Sequence, residues 1–86
     1  MKNYKQVDRD TYIAVVTAEH WYYGSIFRYY QITLNDEEEE DCGAQKILED
    51  ILKNENDFCF ISWERATLSI DFVIDNKVYT KTVVVE

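Results

Sequence analysis

The sequence has no proline, two glycines, two cysteines and a single histidine among its 86 residues. The scarcity of proline and glycine fits a compact fold with short connections, and it leaves no glycine-rich loop to hold a phosphate. Two cysteines are too few for a disulfide scaffold. Together with His20 they make at most three scattered metal ligands, so we predict no metal site and no cofactor.

Long apolar runs and an excess of basic residues are also lacking. No apolar run approaches the roughly 20 residues that cross a bilayer, and residues 1–6 lack the apolar stretch of a signal peptide. The 17 acidic residues outnumber the nine basic ones, which disfavours direct binding to phosphate backbones or anionic membranes. We therefore expect a single cytoplasmic domain with free thiols and with neither nucleic acid nor membrane as a direct partner.

Aromatic residues, by contrast, are abundant, since the chain has seven Tyr, four Phe and two Trp. Each buries a large area at a small entropic cost. They can therefore stabilise a chain so short that folding buries only roughly 60–65% of its unfolded surface. With 47% hydrophobic residues, the chain is not predicted to be a disordered polyelectrolyte.

The hydrophobic pattern predicts an α+β fold in the order ββαβββ, an antiparallel sheet of about five strands with one amphipathic helix. Residues 11–34 are rich in β-branched and aromatic side chains, which favour strands. Within them, Gly24-Ser25 suits the two-residue type II′ turn of a hairpin. In that register Val15 lies opposite Leu34. Residues 1–9 are predicted to be a frayed arm or an edge extension of the sheet.

After Gly43 the spacing becomes helical and predicts a helix that ends within residues 54–56. Apolar side chains recur there at i, i+3, i+4, i+7 and i+8, at Ala44, Ile47, Leu48, Ile51 and Leu52. Three strands are predicted to follow, at residues 58–63, 67–74 and 77–85. Asp75 and Asn76 both tolerate positive φ and are predicted to form the tight turn of the last hairpin.

One helix cannot cover both faces of such a sheet, and the predicted register leaves an aromatic face uncovered. The side chains predicted on it are Tyr12, Tyr22, Phe27 and Tyr29, around Ala14, Val16 and Ala18. A contiguous apolar patch usually marks an interaction site, and tyrosine is enriched at interfaces. Two alternatives remain open, a curled sheet that buries both faces and a homodimer that packs through this face.

The whole net negative charge lies in residues 36–57. These carry ten acidic side chains and two lysines, a net −8 that equals the formal charge of the chain. Six of the acidic residues are consecutive, Asp36, Glu37, Glu38, Glu39, Glu40 and Asp41. A charge confined in this way produces a directional field and suggests a basic protein partner. The alternative is that the run is a solvated segment without a partner.

These features predict a small acidic inhibitory protein, not an enzyme, that occludes a basic nucleic-acid-binding surface of a nuclease or nuclease complex. The acidic run would speed association, and Tyr12, Tyr22, Phe27 and Tyr29 would anchor the contact. Because the charge is concentrated, a plug in one groove fits better than a mimic of a duplex. A third mechanism is allosteric or interface-blocking inhibition through the neutral aromatic face.

In size and charge, though in no motif, the chain resembles anti-CRISPR, anti-restriction and toxin-immunity proteins. This resemblance implies a phage counter-defence inhibitor or an immunity protein. The alternative hypothesis is a homo-oligomeric structural or accessory domain whose aromatic sheet face associates with itself.

Overall fold

The computed structural model describes residues 4–11, 13–32 and 41–86. Its strands are β1 (Tyr4–Gln6), β2 (Ala14–His20), β3 (Gly24–Ile32), β4 (Arg65–Ile74) and β5 (Lys77–Val85). The α-helix, α1, spans Asp41–Asn54 between β3 and β4, and a short 3-10 helix, Arg9–Thr11, lies between β1 and β2. Neighbouring strands are all antiparallel, in the order β1-β3-β2-β4-β5. The predicted α+β class, with a five-stranded antiparallel sheet and one helix, is confirmed.

One of the five strands lies elsewhere than predicted. Residues 58–63 form turns and bends, and the fifth strand is β1, within the segment predicted as an arm or an edge extension. The amides of Phe58 and Cys59 both donate to the carbonyl of Glu55 at 2.9 Å. The Trp63 indole N–H donates to the Phe58 carbonyl at 2.9 Å. These local bonds satisfy polar groups without a neighbouring strand, while the Phe58 side chain is fully buried.

The β2–β3 hairpin has a different register from the predicted one. Residues 21–23 form the turn, and Val15 pairs with Tyr29 instead of Leu34. Gly24 is the first residue of β3 and has a φ of 78°, in the left-handed region that favours glycine. The predicted type II′ turn and its register are therefore wrong. The observed register differs from the predicted one by an odd number of residues. Side chains of the two strands that were predicted to share a sheet face therefore lie on opposite faces.

The core lies between α1 and one face of the sheet. The buried sheet residues are Tyr4, Ala14, Val16, Ala18, Tyr30, Ile32, Ala66, Leu68 and Ile70, which pack with Ala44, Ile47, Leu48 and Ile51 of the helix. The predicted helical stripe is therefore confirmed, with Leu52 half-buried at its margin. Ala14, Val16 and Ala18 of the central strand are fully buried in this core, and the observed register places them there.

The C-terminal hairpin has the predicted register. Asp75 and Asn76 have φ values of 52° and 63°, as expected for a tight turn with positive φ at both positions. Leu68 pairs with Val83 and Phe72 with Tyr79, as a two-residue turn at Asp75 and Asn76 requires. Pairing runs without a bulge from Ala66–Val85 to Ile74–Lys77.

Candidate protein-binding surface

Three adjacent aromatic side chains at the turn of the first hairpin are largely exposed. Trp21, Tyr22 and Tyr23 form this turn, and their exposed fractions are 78%, 71% and 62%. We call these three residues the aromatic tip. Exposed apolar residues scattered singly are normal on a protein surface, whereas contiguous ones mark interaction sites.

The side chain of His20 holds the turn that carries the tip. Its Nδ1 accepts hydrogen bonds from the amides of Tyr22, at 3.0 Å, and Tyr23, at 3.3 Å. A ring nitrogen accepts only when it carries no proton. In this arrangement Nδ1 is therefore the ring nitrogen without a proton, and the proton is on Nε2. Asparagine and aspartate usually play this local role in turns. The capping by His20 explains why the turn lies at residues 21–23 and not at Gly24-Ser25.

The rings of the tip contact one another edge to face. The Trp21 and Tyr22 centroids are 5.6 Å apart at 70°, and those of Tyr22 and Tyr23 are 5.1 Å apart at 88°. Such pairs contribute about 0.5–1.5 kcal/mol each beyond burial. Because the rings restrict each other's rotation, less side-chain entropy is lost when a partner binds.

Trp63 connects the tip to the core. Its ring centroid is 6.5 Å from that of His20 and 6.2 Å from that of the buried Phe58. The amide of Glu64 donates to the Glu19 carbonyl at 3.0 Å, so the segment after α1 is joined to the end of β2. The same segment carries Phe60, which is 82% exposed. A fourth large aromatic group is thus presented by a segment that is attached beside the tip.

The aromatic residues predicted to bind a partner do not form one surface. Tyr22 belongs to the tip. Phe27, which is 54% exposed, and the half-buried Tyr29 lie on the sheet face that α1 does not cover. The three residues expected among them are fully buried on the helix side, Ala14, Val16 and Ala18. The predicted aromatic sheet face is therefore wrong in its arrangement, and the shifted register is the cause.

Most of the acidic run, and one of the predicted anchors, lie outside the described residues. These residues are Tyr12, Asp36, Glu37, Glu38, Glu39 and Glu40. Asp41 is the first residue of α1, so the run directly precedes the helix in the sequence. The positive end of the helix dipole lies there, where a carboxylate is stabilised by about 0.3–1 kcal/mol.

The sheet face opposite α1 is rich in hydroxyl groups. Ser69 Oγ and Thr82 Oγ1 are 3.1 Å apart, and Thr80 Oγ1 donates to Asp71 Oδ1 at 2.7 Å. Polar pairs of this kind suit a surface in contact with water. The expectation that one helix leaves the other face of the sheet uncovered is confirmed by Phe27 and by Val84, which is 38% exposed.

Trp21, Tyr23 and Phe60 are the exposed residues that the sequence analysis missed as candidates. In the predicted register Trp21 and Tyr23 lie on the sheet face opposite to that of Tyr22, and Phe60 lies in the predicted strand 58–63. One signal was present in the sequence, because residues 21–23 are three consecutive large aromatics. In a strand, alternate side chains point to opposite faces, so three in a row fit a turn better than a half-buried strand.

A polar cluster joins the edge of the sheet to the end of the helix. The Tyr4 hydroxyl donates to Asp50 Oδ2 at 3.0 Å, and burial, followed by this bond, raises the pKa of Tyr4 to about 12. Burial, followed by the charges of Glu55 and Asp57, also raises the pKa of Tyr30. Both phenols are therefore held neutral.

Comparison of the chain with protein-family models, with curated proteins and with solved structures gives no match. Across the described ranges, no group of three or more His, Cys, Asp or Glu side chains could hold a metal ion. None of the helices in the same ranges has the length and hydrophobicity needed to cross a bilayer.

Proposed function

We propose that this protein is a small, non-catalytic inhibitor that acts in the cytoplasm by covering a basic nucleic-acid-binding surface of a nuclease or a nuclease complex. The observation that carries the proposal is the aromatic tip, three adjacent side chains 62–78% exposed and supported by His20. Binding energy at protein interfaces concentrates in a few residues, and Trp and Tyr are enriched among them.

The charge distribution supports a basic partner. The net −8 of residues 36–57 equals that of the whole chain, so attraction acts mainly through one quarter of it. Such a field speeds association and discriminates between partners more than it adds affinity. The aromatic tip supplies the complementary contribution, because exposed ring faces attract the guanidinium and ammonium groups of a basic surface.

A nucleic acid is a poorer ligand for the tip than a protein is. Sites that stack single-stranded bases on aromatic rings combine them with a positively charged groove. Among the described residues, the charged side chains at the ends of β2 and β4 next to the turn are Glu19, Glu64 and Arg65, a net −1. Phosphate groups would therefore be repelled where a basic protein surface would be attracted.

The proposal is tested on the heparin-binding proteins of a cell lysate, because heparin is a polyanion that retains proteins with nucleic-acid-binding surfaces. The wild-type protein, once immobilised, is expected to retain a nuclease from this fraction, to release it when DNA is added, and to inhibit it in solution. Replacing tip residues Trp21 and Tyr22 by serine should weaken binding at least about thirtyfold. Val78→Ser, at a residue 69% exposed in the other hairpin, is the matched control and should bind normally.

Charge reversal in the acidic run distinguishes long-range attraction by the carboxylates from the short-range contacts of the aromatic tip. Changing residues 37–40 to lysine should slow association at least about tenfold at low salt, with a smaller effect on dissociation. The tip variant should instead accelerate dissociation. Unchanged inhibition by both variants, or retained proteins that DNA does not displace, would refute the proposal.

A further inference from the structure

His20 is placed so that its charge and the shape of the aromatic tip depend on each other. It is the last residue of β2 and the only histidine of the chain, and its side chain is half-buried. Its Nδ1 accepts hydrogen bonds from the amides of Tyr22 and Tyr23. Histidine is the side-chain type that ordinarily changes its charge between about pH 5 and pH 8. The turn that carries the tip is thus held by a residue type suited to respond to protons in that range.

Protonation of Nδ1 is incompatible with both of these hydrogen bonds. The lone pair that accepts them, at 3.0 and 3.3 Å, is the site to which the proton adds. A protonated ring would direct its own N–H at two amide N–H groups, with no acceptor among the three. The ring must then turn away, and the amides of Tyr22 and Tyr23 lose their partner.

No other polar group of the described residues holds the ring in this position. Within those ranges the imidazole has no hydrogen bond or ion pair apart from the two with the turn amides. Glu19 and Arg65 lie opposite each other in β2 and β4, and because successive side chains alternate, they are on the sheet face opposite to that of His20. Glu64 precedes β4, and a nearby negative charge favours a positive ring. The charged surroundings therefore do not oppose protonation.

Three aromatic rings contact the imidazole, and they provide a second arrangement for its protonated form. The Trp21 ring is stacked on it, with centroids 5.9 Å apart at 23°, and the Tyr23 ring is 4.8 Å away at 44°. The Trp63 ring contacts it edge to face at 6.5 Å. Aromatic faces attract a cation, so an imidazolium that has turned away from the amides is still held among these rings. Tyr23 is the titratable group of the three, and tyrosines titrate at about pH 10, well above histidines.

We propose that His20 is a proton-controlled switch of the aromatic tip. With Nδ1 unprotonated, the ring accepts the two amides and fixes Trp21, Tyr22 and Tyr23 in the observed turn. With Nδ1 protonated, the amides are released and the tip samples several arrangements. The turn is the element with two states, and the proton acts directly on the hydrogen bonds by which the states differ.

The switch predicts weaker binding of a basic partner at acid pH. A protonated His20 places a positive charge beside the rings that meet the partner's guanidinium and ammonium groups. It also leaves the tip less ordered, so more conformational entropy is lost on binding. By linkage, a bound basic partner opposes protonation of His20 by the same factor. This consequence rests on the proposed function, whereas the switch itself is a property of the isolated protein.

An NMR titration of the isolated wild-type protein, between about pH 8 and pH 5, tests the switch. The ring nitrogen signals should show Nδ1 without a proton at the upper end and with one at the lower end. The amide signals of Tyr22 and Tyr23 should change with the same midpoint as the ring. Their protection from hydrogen exchange, corrected for the pH dependence of the intrinsic rate, should fall at least about threefold. The amides of Asp75 and Asn76, in the other hairpin turn, are the internal control and should not show this midpoint.

Two variants distinguish the switch from a general effect of pH. Asparagine caps turns through its side-chain oxygen and does not titrate. His20→Asn should therefore keep part of the protection of Tyr22 and Tyr23 and lose its pH dependence, whereas His20→Ala should lack the protection throughout. The proposal is overturned if both amides stay protected through the midpoint of the ring, if His20→Asn retains that midpoint, or if Nδ1 already carries the proton at the upper end. The wild-type titration decides the matter even if a variant does not fold.

The consequence for binding is measured on the heparin-binding proteins used above. Affinity for the retained nuclease should fall at least about threefold over the same pH range for the wild type, and not for His20→Asn. An equal fall for both proteins would refute control of binding by His20. If the wild type retains no nuclease at either pH, the proposed function fails, while the NMR titration still decides whether the switch exists.

Discussion

The bond between Tyr4 and Asp50 predicts a specific loss of stability at alkaline pH. Tyr4 lies in the edge strand β1, is 7% exposed, and donates to Asp50 Oδ2 of α1 at 3.0 Å. Ionisation of the phenol would place its negative charge beside the carboxylate in a buried position. The pKa of Tyr4 is accordingly raised to about 12, first by burial and then by Asp50.

The sign and size of the effect follow from proton linkage. Because the pKa of Tyr4 in the folded protein lies above its usual value of 10.0, the stabilisation that the neutral phenol provides is complete below about pH 10 and is lost as pH rises through 12. A difference of about two pKa units corresponds to roughly 3 kcal/mol of folding free energy above pH 12 and roughly 1 kcal/mol at pH 11. The unfolded chain releases this proton first, so unfolding becomes progressively more favourable over this interval.

Urea unfolding of the wild type and of Tyr4→Phe, at pH 9 and pH 11, measures the effect. The wild type should lose roughly 1 kcal/mol more of its free energy of unfolding than the variant does between these pH values. Asp50→Asn, which removes the charge and leaves the burial, should lie between the two. Parallel losses in the wild type and Tyr4→Phe would refute the linkage of Tyr4 to folding.

Three further predictions concern the tip, the turn and the core, each measured by urea unfolding. His20→Ala removes the acceptor of two turn amides and should cost about 1 kcal/mol, whereas His20→Asn should restore part of it. Gly24→Ala meets no atom within 4 Å of the added Cβ, so its cost of about 1 kcal/mol reflects only the φ of 78°; no loss would contradict that φ. Leu48→Ala, at a fully buried position, should cost about 2–5 kcal/mol, and a loss below 1 kcal/mol would argue against the packing of α1.

The aromatic tip needs its rings exposed and held in one geometry, which His20 and the ring contacts provide.

The local sequence pattern was enough to predict an element of the fold where only one arrangement of that element could satisfy the pattern. The stripe Ala44–Ile47–Leu48–Ile51 has a single way to face a core, and it is buried as predicted. Asp75 and Asn76 tolerate the positive φ of their turn, so the register of the last hairpin followed from the turn position. The same reasoning failed for residues 58–63, because large apolar side chains do not distinguish a strand from a turn that buries Phe58.

The sequence by itself determined the α+β class, the helix, the last hairpin and the segregation of charge, because each depends on residues close together in the chain. Tertiary structure decided the register of the first hairpin. Ala14 and Ala18 are fully buried in the core, and His20 caps the turn, an arrangement that no spacing within residues 11–34 specifies. That register in turn decided the surface, since it placed three aromatic rings in a turn and not across a sheet. In strands an odd shift reverses which side chains meet solvent, and only packing against the rest of the chain selects between the two.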